Sequence, residues 1–353
     1  MRTRAAAAVR KPPPGCGKAF CTAAILCTVL LGSYRHAFAW GATGHRMIGQ
    51  LAIKSLPAEI PAFLRTSGTA TYIGELAREP DRSRGSGNSH DHDLDPGHYI
   101  NLTDQFEVLG GVNLDPLPTT REDYDTALRL KGSNEYKAGF LPYAIVDGWQ
   151  QLQKDFAYWR ADVAGEKSAK TPKDRAWYGK DRRLRELLIL RDLGYWSHFV
   201  ADASQPMHVS VHHDTWGDFP NPQAYAAKKG FHSQFEGTFV ATQVLPDEVL
   251  SAIRPFVDCA CSIQERTLAY LRETHRQVDK TFELEKTGAF ADPTPAGKEF
   301  VTIRLAAAVS ELRDMIVAAW RGSADAVVGY PPVALRDVES GRTNPLKQMQ
   351  GLD

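Results

Sequence analysis

Apolar residues in this chain recur mostly at helical spacing, and stretches of strict alternation are almost absent. Leu141, Ile145, Trp149, Leu152, Phe156 and Trp159 step by four, four, three, four and three, which draws one stripe down a helix. Pro142 falls in the first turn of that helix, where its missing N–H is harmless. Leu305, Val309, Leu312, Ile316 and Trp320 repeat the pattern in a second long helix. A third is expected from Arg182 to about Ser204, stopped by Gln205-Pro206. Shorter helical patterns begin near Gly44, Phe231 and Cys259. Residues 80–96, 104–139 and 209–230 are polar or rich in Gly and Pro and read as loops. No repeat or low-complexity linker divides residues 40–353. The expectation is an all-α fold, a single multi-helix domain with long loops.

Composition narrows this only a little. The 353 residues are 43% apolar and 24% charged, which excludes a disordered, collagen-like or disulfide-scaffold protein. Charge is more telling. Residues 1–39 carry six basic residues (Arg2, Arg4, Arg10, Lys11, Lys18, Arg35) and no acid. Without them 36 basic residues face 42 acidic ones, a net charge of −6, which argues against a broad basic surface for gripping duplex phosphates. The basic start, the apolar run Phe20 to Gly32 and the triplet Ala37-Phe38-Ala39 read as a secretory signal peptide over 1–39, with an uncleaved anchor as the competing reading. Cleavage after Ala39 would make Trp40 the first residue of an exported protein, periplasmic or secreted, with no other segment apolar enough to insert stably in a membrane. Of five cysteines only Cys259 and Cys261 would remain, too close in sequence for a structural bridge to be the default expectation.

The ten histidines after residue 39 change the picture most. His198 and Asp202 are spaced i, i+4, so both leave the same helix face about one turn apart. His208 follows as that helix ends, and His232 with Glu236 repeats the i, i+4 spacing. His45 lies five residues from the expected new terminus. Any one of these pairs has a bland reading as an ion pair on a solvated face. Together they offer the imidazole nitrogens and carboxylate oxygens that zinc takes, and no nucleophile elbow, phosphate-cradling loop or dinucleotide fingerprint competes.

Trp40-Gly41-x-x-Gly44-His45, His98-Tyr99-Ile100, His198-x-x-x-Asp202-x-x-Gln205-Pro206-Met207-His208 and His232-x-x-x-Glu236 resemble the motifs of the zinc-dependent nuclease and phospholipase C superfamily, most closely its single-strand-specific type I nucleases. The resemblance implies three zinc ions in a cleft of an α-helical domain. One zinc would be held by Asp81, His98, His198 and Asp202, and a second by His208, His232 and Glu236. A third would take the α-amino nitrogen and carbonyl of Trp40 with His45 and a second oxygen of Asp202. Asp81 and Asp202 would be the catalytic carboxylates, and a hydroxide on the metals would attack the phosphodiester with no covalent intermediate. The terminal amine must lose its proton to bind metal, so signal cleavage would be a chemical requirement of the site.

Several positions depart from the family pattern. Asp81 follows Ala77-Arg78-Glu79-Pro80 instead of the usual Trp-Ala context, and Asp91, Asp93 and Asp95 compete with it. Asn101 stands where the nucleases commonly carry Asp, and Glu236 is the phospholipase form of that ligand. His90 and His92 read as a solvated loop, and His212-His213-Asp214 as a cleft rim. Tyr99, Tyr143, Trp216, Phe219 and Tyr225, in or beside the expected loops, are available to stack unpaired bases, with core or rim packing the blander and favoured reading of each. Trp216-Gly217-Asp218-Phe219-Pro220 could equally meet lipid. The expected function is a monomeric zinc-dependent endonuclease on single-stranded DNA or RNA; a phospholipase C acting on phospholipid is the alternative, and an inactive zinc-binding protein the third.

Overall fold

Three long helices carry the architecture, and each starts at a proline in its first turn. They are α7 (Leu141–Ser168), α8 (Pro172–Asp202) and α14 (Pro295–Gly322). Thr171 and Thr294 cap the latter two by accepting the backbone N–H of Asp174 and of Gly297. The computed structural model describes residues 40–351 apart from 85, 86, 88 and 227. The signal peptide expected over 1–39 lies outside the described residues.

The periodic stripes became core. Leu141, Ile145, Leu152 and Phe156 are fully buried, as are Leu305, Val309, Leu312 and Ile316. Trp149 ties the two stripes together by donating its indole N–H to the Met315 carbonyl at 3.0 Å. α8 begins ten residues before Arg182, because Thr171-Pro172 supplies a start signal that the polar run behind it concealed. Only a three-residue link joins α7 to α8, so the two pack along one another. α1 (Gly41–Lys54) and α2 (Ser67–Leu76) pack together beside α8, and α1 also meets α14.

Two of the three expected loops hold short helices. α3 (Glu79–Arg82), α4 (Ser89–Leu94) and a 3₁₀ turn at Asp95–His98 occupy 80–96. α5 (Arg121–Leu130) and α6 (Glu135–Ala138) lie within 104–139. α5 buries only Tyr124 and Leu128 and is held at its start by a capping box between Thr120 and Asp123, so its apolar signal is too thin to see in the sequence. Residues 209–230 contain no helix or strand among those described, as expected. The rest is α9 (Phe231–Ser233), which runs through a π-helical stretch Gln234–Phe239 into α10 (Val240–Gln243), then α11 (Pro246–Ser251), α12 (Ile263–His275) and α13 (Val278–Lys286). A two-stranded ribbon, β1 (Val327–Val328) with β2 (Val333–Ala334), is the one sheet among the described residues. α15 (Leu335–Glu339) and α16 (Leu346–Gln350) close the chain.

One expectation is corrected outright. Cys259 and Cys261 are joined by a disulfide, with Cα atoms 5.1 Å apart. The irregular chain between α11 and α12 bends at this point and brings the two residues close enough to pair, which spacing alone had weighed against. No helix among the described residues is long and apolar enough to cross a membrane.

Candidate metal centre

The last turns of α8 are the floor of the site. His198 and Asp202 are both fully buried, one turn apart, and His198 Nε2 lies 3.3 Å from Asp202 Oδ2. Around them the chain folds five other segments. α1 brings His45, whose ring stacks on His198 at 3.9 Å and whose Nε2 is 3.4 Å from Asp202 Oδ1. The 3₁₀ turn at Asp95–His98 brings His98, with Nδ1 2.8 Å from His198 Nε2 and 3.2 Å from Asp202 Oδ2. α3 brings Asp81, with Oδ1 3.9 Å from His198 Nε2. The 3₁₀ turn Pro206–His208 and the Phe231–Phe239 helix bring His208, His232 and Glu236. His232 Nε2 stands 2.7 Å from Glu236 Oε2 and 3.1 Å from His208 Nε2.

Three groups of donors result, each compact enough to hold a cation: His45, His198 and Asp202; Asp81, His98 and His198; and His208, His232 and Glu236. His198 belongs to two of them. The two oxygens of Asp202 are divided, Oδ1 toward His45 and Oδ2 toward His98 and His198. Asp81 joins the cluster, whereas its competitors do not: Asp95 pairs with Arg84 at 2.7 Å, Asp93 is exposed beside His92, and Asp91 belongs to none of the three groups.

Imidazole tautomers give the arrangement its chemical sense. His198 Nδ1 sits 2.8 Å from the Ala77 carbonyl, His208 Nδ1 2.6 Å from the His98 carbonyl, and His232 Nδ1 against the His213 carbonyl. A carbonyl oxygen can only accept, so each Nδ1 carries the proton and each Nε2 turns a lone pair inward. His208 Nε2, His232 Nε2 and Glu236 Oε2 are therefore acceptor atoms facing one another, and Glu236 Oε1 is buried with no hydrogen-bond partner. Facing lone pairs at such distances repel unless a cation, a metal or an added proton, lies between them. The donor set and its outer carbonyls fit a bound metal.

Electrostatics express the same crowding. Burial, and then the neighbouring imidazoles, push the pKa of His98 and of His208 well below the ordinary histidine range. Burial raises Asp202 to about 7 against the pull of His198, and raises Glu236 against the pull of His232. For His198 and His232 burial works downward, but Asp202 with Asp81, and Glu236, outweigh it and the net shift is upward.

Trp40 anchors the start of α1 on this floor. Its indole is fully buried and donates to the Ala201 carbonyl at 2.9 Å and to Ser204 Oγ at 2.8 Å, both at the end of α8. A Cβ placed on Gly41 would stand 3.2 Å from the Glu236 carbonyl, so the first turn of α1 runs against the helix that carries that ligand. The Trp40 carbonyl accepts the Gly44 N–H, and the residue has φ 47°.

Beside the cluster lies a cavity of about 270 Å³ lined by Arg84, Tyr99, Asn101, Met207, His208, His213 and His232. Arg84 was missed in the sequence. Its Nε pairs with Asp95, its Nη1 is 3.5 Å from Asp81 Oδ1, and Nη1 is buried with no hydrogen-bond partner. Its i, i+3 spacing from Asp81 was the available signal. Gln205 was seen only as part of a motif. It donates to Glu236 Oε2 at 3.2 Å and to His232 Nε2 at 3.0 Å, while its Oε1 accepts the Met207 N–H. Asp214 accepts the N–H groups of Gly230 and His232 and so fixes the left-handed turn, φ 92° at Gly230, that opens α9.

The His212–Asp214 stretch forms the expected rim and does not join the donor groups. His212 is pinned between the Trp216 carbonyl and Asp104 and stacks on Trp216 at 3.7 Å. Of the five aromatics available to stack bases, only Tyr99 faces this cavity. Tyr143 is buried in α7 against Tyr124; Trp216 is buried and Phe219 and Tyr225 pack against the core, the 209–230 segment folding Trp216 and Tyr225 inward against Phe282. No known family model matches the chain, and no curated protein matches it.

Proposed function

We propose that this chain is an exported, monomeric phosphodiesterase dependent on three zinc ions, which hydrolyses single-stranded DNA and RNA. One observation carries the reading: eight buried nitrogen and oxygen donors from six segments form three groups, two of which share His198. Nitrogen and oxygen donors without thiolates suit catalytic zinc better than structural zinc.

His45, Asp81, His98, His198, Asp202, His208, His232 and Glu236 would hold the metals, with the Trp40 terminus completing the set after cleavage at Ala39. Zinc there supplies Lewis acidity to the phosphoryl group and lowers the pKa of water. Asp81 Oδ1, buried and without a hydrogen bond, takes up the proton released by the attacking water. The Arg84 guanidinium, held by Asp95 and near Asp81, offers Nη1 to a phosphoryl oxygen entering the cavity and gains there the hydrogen bond it lacks. Asp202 divides its two oxygens between neighbouring groups and keeps them in register. No side chain need form a covalent bond to phosphorus.

The test is hydrolysis of single-stranded DNA and of phosphatidylcholine by the chain beginning at Trp40, each with a zinc-stripped control. Zinc-dependent cleavage of DNA supports the reading. Cleavage of the lipid alone would replace it with a phospholipase C. Full zinc content with no phosphodiester hydrolysed would leave a closed zinc-binding protein.

A further inference from the structure

A second hollow, of about 420 Å³, lies beside the metal centre between α4 and the α5–α6 segment. Two of its lining residues form a stacked pair: the His92 and Tyr136 rings are 4.4 Å apart and inclined by only 6°. Neither is core. The His92 side chain is 62% exposed and Tyr136 51% exposed, so a flat aromatic surface is held open to solvent. Arg121 and Arg129 line the same hollow, each fixed by a carboxylate, Glu135 and Asp125 respectively. Asp93 is more exposed still, with His92 its near neighbour.

This hollow is joined to the catalytic cavity by one wall. Pro96 lines the hollow and lies two residues before His98. Tyr99 lines the catalytic cavity and donates its hydroxyl to the Tyr136 carbonyl at 2.6 Å. The Tyr99–Tyr136 hydrogen bond thus sets the stack's own residue against the wall of the catalytic cavity.

Chemistry selects the occupant. An acyl chain wants an apolar groove, and this lining is largely charged or polar. Duplex phosphates want unpaired cations, and both arginines here are already paired. A free nucleobase wants a flat π-surface with polar groups at its edge, which the His92–Tyr136 pair with Asp93 provides. We propose that this hollow is a base-stacking subsite for an unpaired nucleotide flanking the scissile phosphodiester. The proposal rests on the phosphodiesterase reading for its orientation.

The experiment is binding of a fluorescent phosphorothioate decathymidylate, which resists hydrolysis, to the chain beginning at Trp40 and to its Tyr136→Ala, His92→Ala and Tyr136→Trp variants. Either alanine should raise Kd about tenfold, and tryptophan should retain or tighten binding. Hydrolysis of bis(4-nitrophenyl) phosphate, which carries no base, should be unchanged in all three. Unaltered Kd in both alanine variants, or no binding by the parent chain, overturns the subsite. If the parent chain binds the oligonucleotide through Tyr136 yet hydrolyses no phosphodiester, the phosphodiesterase reading falls and the subsite stands.

Discussion

Carboxylates are buried at two places on α8 and its surroundings, and the two sets are solved differently. At the end of α8, Asp202 and Glu236 face imidazoles whose Nδ1 protons are already committed to backbone carbonyls. Along the α7–α8 seam, Asp155 accepts from the Arg185 guanidinium at 3.1 Å and from Gln151 Nε2 at 3.0 Å, nitrogens that can only donate. Asp162 lies on the same seam with Asp181, Arg185 and Arg182 around it. No donor group suited to a metal was found at this seam among the described residues. Burial alone thus says little about function. What separates the two places is the partner: lone pairs pointed at lone pairs invite a cation, whereas Asp155 already has N–H donors and Asp162, with neither oxygen hydrogen-bonded, is raised to about 8 by burial and keeps its own proton.

That contrast breaks most visibly at His198 and Asp202. Replacing either with alanine should lower phosphodiester hydrolysis by roughly three orders of magnitude and take zinc content and melting temperature down together, since metal binding is folding energy in such a site. Retained hydrolysis with zinc lost would refute the metal role. Leu, Ala or Asn at Asp155 should cost stability with zinc content unchanged, read by metal analysis beside a thermal melt.

Gln205→Ala should act less severely. It removes one donor to Glu236 and the acceptor that holds the Met207 N–H, and outer partners of this kind are worth about 10–100-fold in metal affinity. Competition with a graded zinc chelator reads that number directly.

The seam answers to pH instead. Burial first, then the Asp181 carboxylate, raises the Asp162 carboxyl to about 8, with Arg185 and Arg182 pulling the other way and Tyr178 nearby. An acid whose folded value lies above its unfolded one, about 4, keeps its proton longer when folded, so stability falls as pH rises between those values. Asp162→Asn should therefore flatten the decline of melting temperature from pH 5 to pH 8 and raise it most at pH 8. A steeper decline in the variant would show that the ionised form is the one the fold prefers.

The smallest effect belongs to His90→Ala. His90 is exposed on α4 and belongs to none of the three donor groups, so zinc content, activity and stability should stay within about 0.5 kcal/mol of the parent chain.

How far the sequence reached follows from how each feature is encoded. The stripes on α7 and α14 and the His198–Asp202 pair are periodic, and periodicity survives without coordinates. The eight side-chain donors were legible because family-like spacing named them; the tautomers that make them a site depend on the carbonyls of Ala77, His98 and His213, which no spacing reveals. α5 stayed hidden because Tyr124 and Leu128 are its whole buried face, and its Thr120–Asp123 cap lies in a stretch rich in proline and acid. Base stacking and core or rim packing were both open for Tyr143 and Trp216, and tertiary packing, which no local pattern shows, drew both inward. The Tyr136–His92 stack joins residues 44 apart, and no local pattern could have paired them.

The most direct measurement is zinc content of the purified chain beginning at Trp40, taken alongside thermal melts with and without a chelator. Three zinc ions per chain, falling sharply in Asp202→Ala, with a melting temperature that drops on chelation and returns on adding zinc, is the expected result. A chain that purifies without zinc, does not take it up, and melts at the same temperature throughout would contradict the account. The facing lone pairs at His208, His232 and Glu236 would then be bridged by protons, and the α8 terminus would be a buried ion-pair network like the seam.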